Sequence, residues 1–145
     1  MIDTTAALYA FLSGTAAITN SIDAYNTFPA IFESYVPDAY EIDGPTIVID
    51  APTRNDRQSM NKCQAREVIV NLRIYARVRT KGGDTGSAGL HTASETIAKE
   101  LHNFVVPLSG GITQGCQVSG PILAPTESPS IGGRLITIRW RIQET

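Results

Sequence analysis

Between Arg66 and Arg79 apolar residues fall at every second position: Val68, Val70, Leu72, Ile74, Ala76 and Val78. Glu67, Ile69, Asn71, Arg73, Tyr75, Arg77 and Arg79 fill the positions between them. Successive side chains of a strand point to opposite faces, so this alternation predicts one long strand with a single buried face. The same pattern closes the chain over Arg134 to Gln143, where Ile136, Ile138, Trp140 and Ile142 alternate with Thr137, Arg139, Arg141 and Gln143. Between the two strands the period changes. Leu90, Ala93, Ile97, Leu101 and Phe104 recur at three- and four-residue spacing, the stripe of a helix of about sixteen residues, with Glu95 and Lys99 paired on its outside.

The remaining segments are less regular. Asp3 or Thr4 can cap a first helix whose apolar stripe is Ala7, Leu8, Phe11 and Leu12, with Gly14 as its stop and a short second turn over Ala16 to Ile22. Residues 23–45 scatter Pro29, Pro37 and Pro45 among Phe28, Phe32, Tyr35 and Tyr40, which predicts an irregular, anchored connection. Thr46 to Ile49 reads as a short strand, ended by Asp50-Ala51-Pro52. Residues 52–64 are polar and without period, which predicts a long loop. A Gly-rich loop, Lys81 to Gly86, leads into the long helix, and a strand around Gln117 to Ala124 is broken by Pro121. The sum is a single domain over residues 1–145 of the α+β class. Its expected architecture is an antiparallel sheet of about four strands with two main helices on one face, in the order α-β-β-α-β-β.

Composition narrows the function more than the fold. At 145 residues with 42% apolar content, the chain is long enough for one core and too apolar for wholesale disorder. No apolar run reaches the roughly 18–20 residues of a membrane span, and Asp3 with no nearby cation is the wrong start for a secretory signal. A soluble protein made in the cytoplasm is expected. The net charge of −2 conceals an asymmetry: residues 1–53 hold seven acids and no Lys or Arg, while residues 54–145 hold seven acids and all twelve basic residues. Such halves either neutralise each other within one subunit or meet between neighbouring copies.

Candidate chemistry is sparse. Asp84-Thr85-Gly86 matches the Asp-Thr-Gly of retroviral-type aspartic proteases, with Ile131-Gly132-Gly133-Arg134 downstream. The flanks oppose that reading, because Lys81-Gly82-Gly83 precedes the motif where those proteases need an apolar strand, and a helix follows it. A helix-capping loop accounts for the same residues. The loop also lacks the Lys-Ser/Thr of a phosphate-binding loop. His91 and His102 sit about 16 Å apart on one helix at 1.5 Å per residue, too far to share a metal. Cys63 and Cys116 match no metal or redox spacing. No catalytic residue, cofactor or metal is expected. Arg73, Arg77, Arg79, Arg139 and Arg141 all fall opposite the apolar rows of the two long strands, which would form a basic patch if those strands pair.

The order of these pieces resembles the tail-completion or tail-terminator proteins of long-tailed bacteriophages. The resemblance rests on Pro45-Thr46-Ile47-Val48-Ile49-Asp50, the polar loop, the strand EVIVNLRIYARV (67–78), the helix TASETIAKELHNFV (92–105), and the late Gly-Gly-Arg before LITIRWRI (135–142). It implies a virion protein of the neck, assembled in the host cytoplasm. Such proteins form a ring, typically of six subunits, that ends the tail tube and meets the head connector or adaptor while DNA passes through unread. Partners would be further copies of this chain, the tail tube protein and the connector, with no membrane. The interaction candidates are Arg54, Arg57 and Lys62 of the polar loop and Arg73, Arg77, Arg79, Arg139 and Arg141 of the sheet face.

Overall fold

The computed structural model describes residues 4–58, 64–78, 86–102, 111–126 and 128–144. Among these residues three helices, α1 (Thr4–Gly14), α2 (Ala16–Thr19) and α3 (Gly86–Leu101), accompany eight strands. These are β1 (Ala24–Tyr25), β2 (Phe28–Pro29), β3 (Ile31–Glu33), β4 (Thr46–Ile49), β5 (Thr53–Gln58), β6 (Gln64–Arg77), β7 (Gly111–Leu123) and β8 (Ile131–Glu144).

The two alternating segments pair as their pattern demands. β6 and β8 run antiparallel over thirteen residue pairs, from Ala65 opposite Gln143 to Arg77 opposite Ile131. Their shared register puts Val68, Val70, Leu72, Ile74 and Ala76 in one row beside Trp140, Ile138 and Ile136, each 2% exposed or less. A one-residue slip would turn all of these to the opposite face, so burial fixes the register. The helix α3 lies over this row, touching β6, β7 and β8. Its Leu90, Ala93, Ile97 and Leu101 are buried, as the spacing predicts. Leu8 and Leu12 of α1 and Ile18 of α2 complete the core, α1 packing on α2 and β3, and α2 on α3. Phe104 lies outside the described residues.

The Gly132-Gly133 pair of β8 has a packing role. A Cβ on Gly132 would stand 3.1 Å from Leu90 Cδ2 of α3, and one on Gly133 would stand 3.0 Å from Thr126 Cγ2. Both residues let a neighbouring element approach the sheet more closely than any side chain permits.

Five expectations need correction. The main sheet has six strands rather than about four: the path β3-β4-β6-β8-β7, with β5 also on β6, beside a separate β1-β2 ribbon. It is not wholly antiparallel, since β3 runs parallel to β4. The expected loop 52–64 is in part a strand. β4 and β5 lie in succession along the same edge of β6, Thr46–Ile49 opposite Tyr75–Leu72 and then Thr53–Gln58 opposite Ile69–Gln64. Thr53–Gln58 carries no apolar alternation because its pairing is supplied by β6. The connection 23–45 likewise contains β1, β2 and β3. Pro121 does not break β7, which starts at Gly111 and absorbs the proline in a register shift between Ser119 and Ile122.

The assignment of faces is open to test. Truncating Ile138→Ala removes a fully buried side chain and should cost about 2–5 kcal/mol in urea unfolding. Ile69→Ala, on the half-buried opposite row, should cost about 1 kcal/mol or less. Equal losses would mean that the sheet does not face the helices as described.

Candidate interaction surface

The segment before β4 is built around one carboxylate. Asp23 accepts from the amides of Ala24 (2.9 Å) and Gly44 (3.3 Å), while its own backbone pairs with Pro45 and Ala30. The buried hydroxyl of Thr46 donates to the Gly44 carbonyl at 3.2 Å and lies 2.9 Å from the Tyr40 hydroxyl, which donates to Asp23 Oδ2 at 3.5 Å. Tyr40, Tyr25 and Phe32 form a ring cluster with centroids 5.1–5.7 Å apart. Between β1 and β2, Asn26 and Thr27 both have positive φ, as a two-residue hairpin turn of this hand requires. The prolines and aromatics therefore mark a fixed structure. Its surface is acidic, with Glu33, Asp38 and Glu41 exposed and no Lys or Arg anywhere in residues 23–45.

On the sheet's outer face Arg73, Arg77 and Arg139 each have an acidic side chain beside them. Arg73 donates through Nε to Asp50 Oδ1 at 2.9 Å and through Nη1 to the Tyr75 hydroxyl at 3.0 Å, and its Nη2 reaches the Ser34 carbonyl at 2.9 Å. The Nη2 also lies 2.7 Å from Asp50 Oδ1. Burial opposes the charge on Arg73, but the bonds to Asp50 and Tyr75 outweigh it and raise its pKa above the usual arginine value. Arg73 thus ties the turn after β3, the end of β4 and the sheet together. Arg77 lies 3.7 Å from Glu41, and Arg139 Nε lies 2.9 Å from Glu67. The partners Asp50 and Ser34 stand 23 and 39 residues away from Arg73, so no local signal in the sequence could reveal them.

The other candidates are placed by strand register. Arg54 stands opposite Val68, Arg57 opposite Ala65 and Arg141 opposite Glu67. Lys62 and Arg79 lie outside the described residues. Arg73 and Arg77 therefore belong to one end of the sheet, and Arg54, Arg57, Arg139 and Arg141 to the other.

A groove of about 400 Å³ opens on the outer face between Val36, Ile42, Tyr75, Thr126 and Ile131. Its polar groups serve the protein itself: Tyr75 accepts from Arg73, and the Thr126 hydroxyl bonds the carbonyls of Ser128 and Ile131. Asp84 and Thr85 of the protease-like triplet lie outside the described residues, while Gly86 opens α3. His91 is exposed on α3, and His102 is exposed just past its end. Among the described residues, no three His, Cys, Asp or Glu side chains are grouped as a metal site needs, and no helix is long and apolar enough to cross a membrane. Burial pushes the half-buried Cys116 thiol up, and Cys63 lies outside the described residues.

No family model matches the sequence, and no curated protein matches it. Among solved structures, a chain from the virion of a native gene transfer agent particle is similar, with a TM-score of 0.74. The match covers 97% of this chain and 94% of that one at 14% identity. At that identity the likeness establishes a shared fold.

Two variants test these networks. Arg73→Ala leaves the Asp50 carboxylate and Ser34 carbonyl without their partner and should cost about 1–3 kcal/mol. Arg73→Lys should recover only part of that in urea unfolding, because an ammonium cannot reproduce the three-way fork. Full recovery by lysine would show that charge alone matters. Desolvation by burial raises the pKa of the Tyr40 phenol. Its contribution is therefore complete below the unfolded tyrosine pKa near 10 and falls as pH rises through the higher folded value. Tyr40→Phe should flatten the alkaline loss of stability relative to wild type, and an unchanged slope would place the loss elsewhere.

Proposed function

We propose that this protein is a structural component of a phage-type virion, and within it the ring that ends the tail tube and joins the tail to the head. The observation that carries this reading is the end-to-end likeness to a virion chain, with almost the whole of both chains matched. The same order of elements carries the sequence resemblance to tail terminators. Its partners would be further copies of itself, the tail tube protein and the head connector or adaptor. DNA would pass through the lumen without being read.

The chemistry fits a role of shape rather than catalysis. A ring subunit needs a rigid sheet and side surfaces that match a neighbour's. The thirteen-pair ladder supplies the first, and the second could draw on the acidic residues of 1–53 and the basic ones of 54–145. Of the polar side chains that line the outer groove, Arg73, Tyr75 and Thr126 all bond within the protein. An adaptor on the head side of the same neck is the second reading, because the similar chain is described by its virion rather than by a position in it.

The two readings separate on tails assembled without this protein. If it is the terminator, those tubes should be irregular in length and unable to take heads, and the purified protein should cap them and restore joining. Binding to tail-less heads and not to tubes would favour the adaptor. Asp84→Ala should leave either activity unchanged, whereas loss of joining with the fold intact would return the aspartate to a chemical role. Native mass spectrometry should find a species near 94 kDa if six copies of 15.6 kDa close a ring.

A further inference from the structure

The groove on the outer face lies between two pieces of chain that the sheet holds in place. One wall follows β3 and supplies Val36 and Ile42. Arg73 Nη2 fixes its start by donating to the Ser34 carbonyl at 2.9 Å, and the Arg77 amide fixes its end at the Asp43 carbonyl, 3.0 Å away. The other wall joins β7 to β8 and supplies Pro125, Thr126 and Ile131. It comes down onto the sheet because Gly133 has no side chain, and the Thr126 hydroxyl ties it to the Ser128 and Ile131 carbonyls. Tyr75 of β6 completes the lining. The groove is therefore built before any ligand arrives. Its volume of about 400 Å³ falls within the roughly 300–1,000 Å³ of sites that hold a ligand.

Apolar surface continues beyond each wall. Tyr35, 74% exposed, directly precedes Val36. Ile122, 59% exposed, stands opposite Leu135 in the outer row of side chains that continues through Gly133. Exposed apolar surface gathered in one place marks an interaction site. A patch that outruns its groove suits a length of chain better than a small molecule. The charge around it has one prevailing sign. Residues 33–43 hold four acids and no Lys or Arg, and residues 124–131 hold no Lys or Arg either. Glu33, Asp38 and Glu41 are exposed. Arg73 and Arg77 are met by Asp50 and Glu41, so they do not offset the other acids.

We propose that this groove takes an extended, basic segment of a partner protein, with apolar side chains set between Lys or Arg residues. The apolar pair fills the groove, whose own polar groups are already bonded, and the flanking cations meet the acids beside it. The same acids repel a phosphate backbone, which favours a protein over DNA. The inference goes beyond the role proposed above and stands or falls without it.

Three acetylated, amidated hexapeptides are the probes: Lys-Lys-Leu-Leu-Lys-Lys, Glu-Glu-Leu-Leu-Glu-Glu and Lys-Lys-Ser-Ser-Lys-Lys. In isothermal titration calorimetry with the full chain, the first should bind at least tenfold more tightly than either of the others. Glu33→Lys/Asp38→Lys should weaken it at least tenfold and turn the preference toward the glutamate peptide. Both acids are exposed and share in none of the Asp23, Asp50 or Glu41 contacts. Glu33→Gln/Asp38→Gln, with a smaller loss, stands in if the reversal misfolds. Val36→Arg, which puts a cation in the wall, should abolish binding, and Tyr35→Ser/Ile122→Ser should weaken it severalfold. Circular dichroism checks the fold of each.

Equal binding of the lysine–leucine and glutamate–leucine peptides overturns the proposal, as does equal binding of the serine peptide or no binding of any. Undiminished binding by folded Val36→Arg places the peptide elsewhere and overturns it too. A 30-base-pair duplex that binds more tightly than the peptides and is lost in Val36→Arg would make DNA the occupant. Loss of self-association by that variant in native mass spectrometry would make a second copy the occupant. Either result overturns the proposal.

Discussion

The structure depends on the register between β6 and β8. Thirteen consecutive pairs hold two rows of side chains in place, one apolar and one polar. The apolar row supplies most of the floor on which α3 rests, and Gly132 lets Leu90 of that helix come down onto it. The polar row, on the other face, is the foundation for the Arg73 network. Every other strand of the sheet adds to one edge of this pair or the other: β7 beyond β8, and β4, β3 and β5 beyond β6. Slipping the pair by one residue would expose the core and bury the arginines together, so both surfaces are specified by one constraint.

What could be read from the sequence follows from where the folding signal is local. The long strands and α3 were legible because burial of a single face writes its period into the chain: Val68 to Ala76 at two, Leu90 to Leu101 at three and four. The strand Thr53–Gln58 was not legible, because an edge strand beyond the helices has little reason to alternate and takes its conformation from its neighbour. The strand Ile31–Glu33 was hidden for another reason. It is three residues long and is held by bonds to distant groups, Ala30 through Asp23 and Ser34 through Ile49 and Arg73. Composition correctly signalled an anchored connection there, but the carboxylate that anchors it looks like any other aspartate.

The arginines divide in the same way. Alternation alone put Arg73, Arg77 and Arg139 on the face away from the core, and the pairing of β6 with β8 agrees. Alternation could not show that each has an acid beside it. Asp50 comes from the end of β4, Glu41 from the connection, and Glu67 from the diagonal neighbour on the partner strand. Once those pairs are made, the outer face is no longer a field of one sign. Arg73 is better understood as a brace than as a contact waiting for a partner, since its fork spans three segments of the chain.

The charge that remains is arranged by topology rather than by composition. A count of residues shows that the first third of the chain is acidic and the rest basic, but says nothing of whether the two touch. A simple hairpin from β4 into β6 would have laid the polar segment back beside the acidic one. Instead the chain continues past Asp50-Ala51-Pro52 and pairs again as β5 before it turns. That second stretch of pairing carries Arg54 and Arg57 away from the acids. Local ion pairs are kept where they brace the fold, at Arg73 and Arg77.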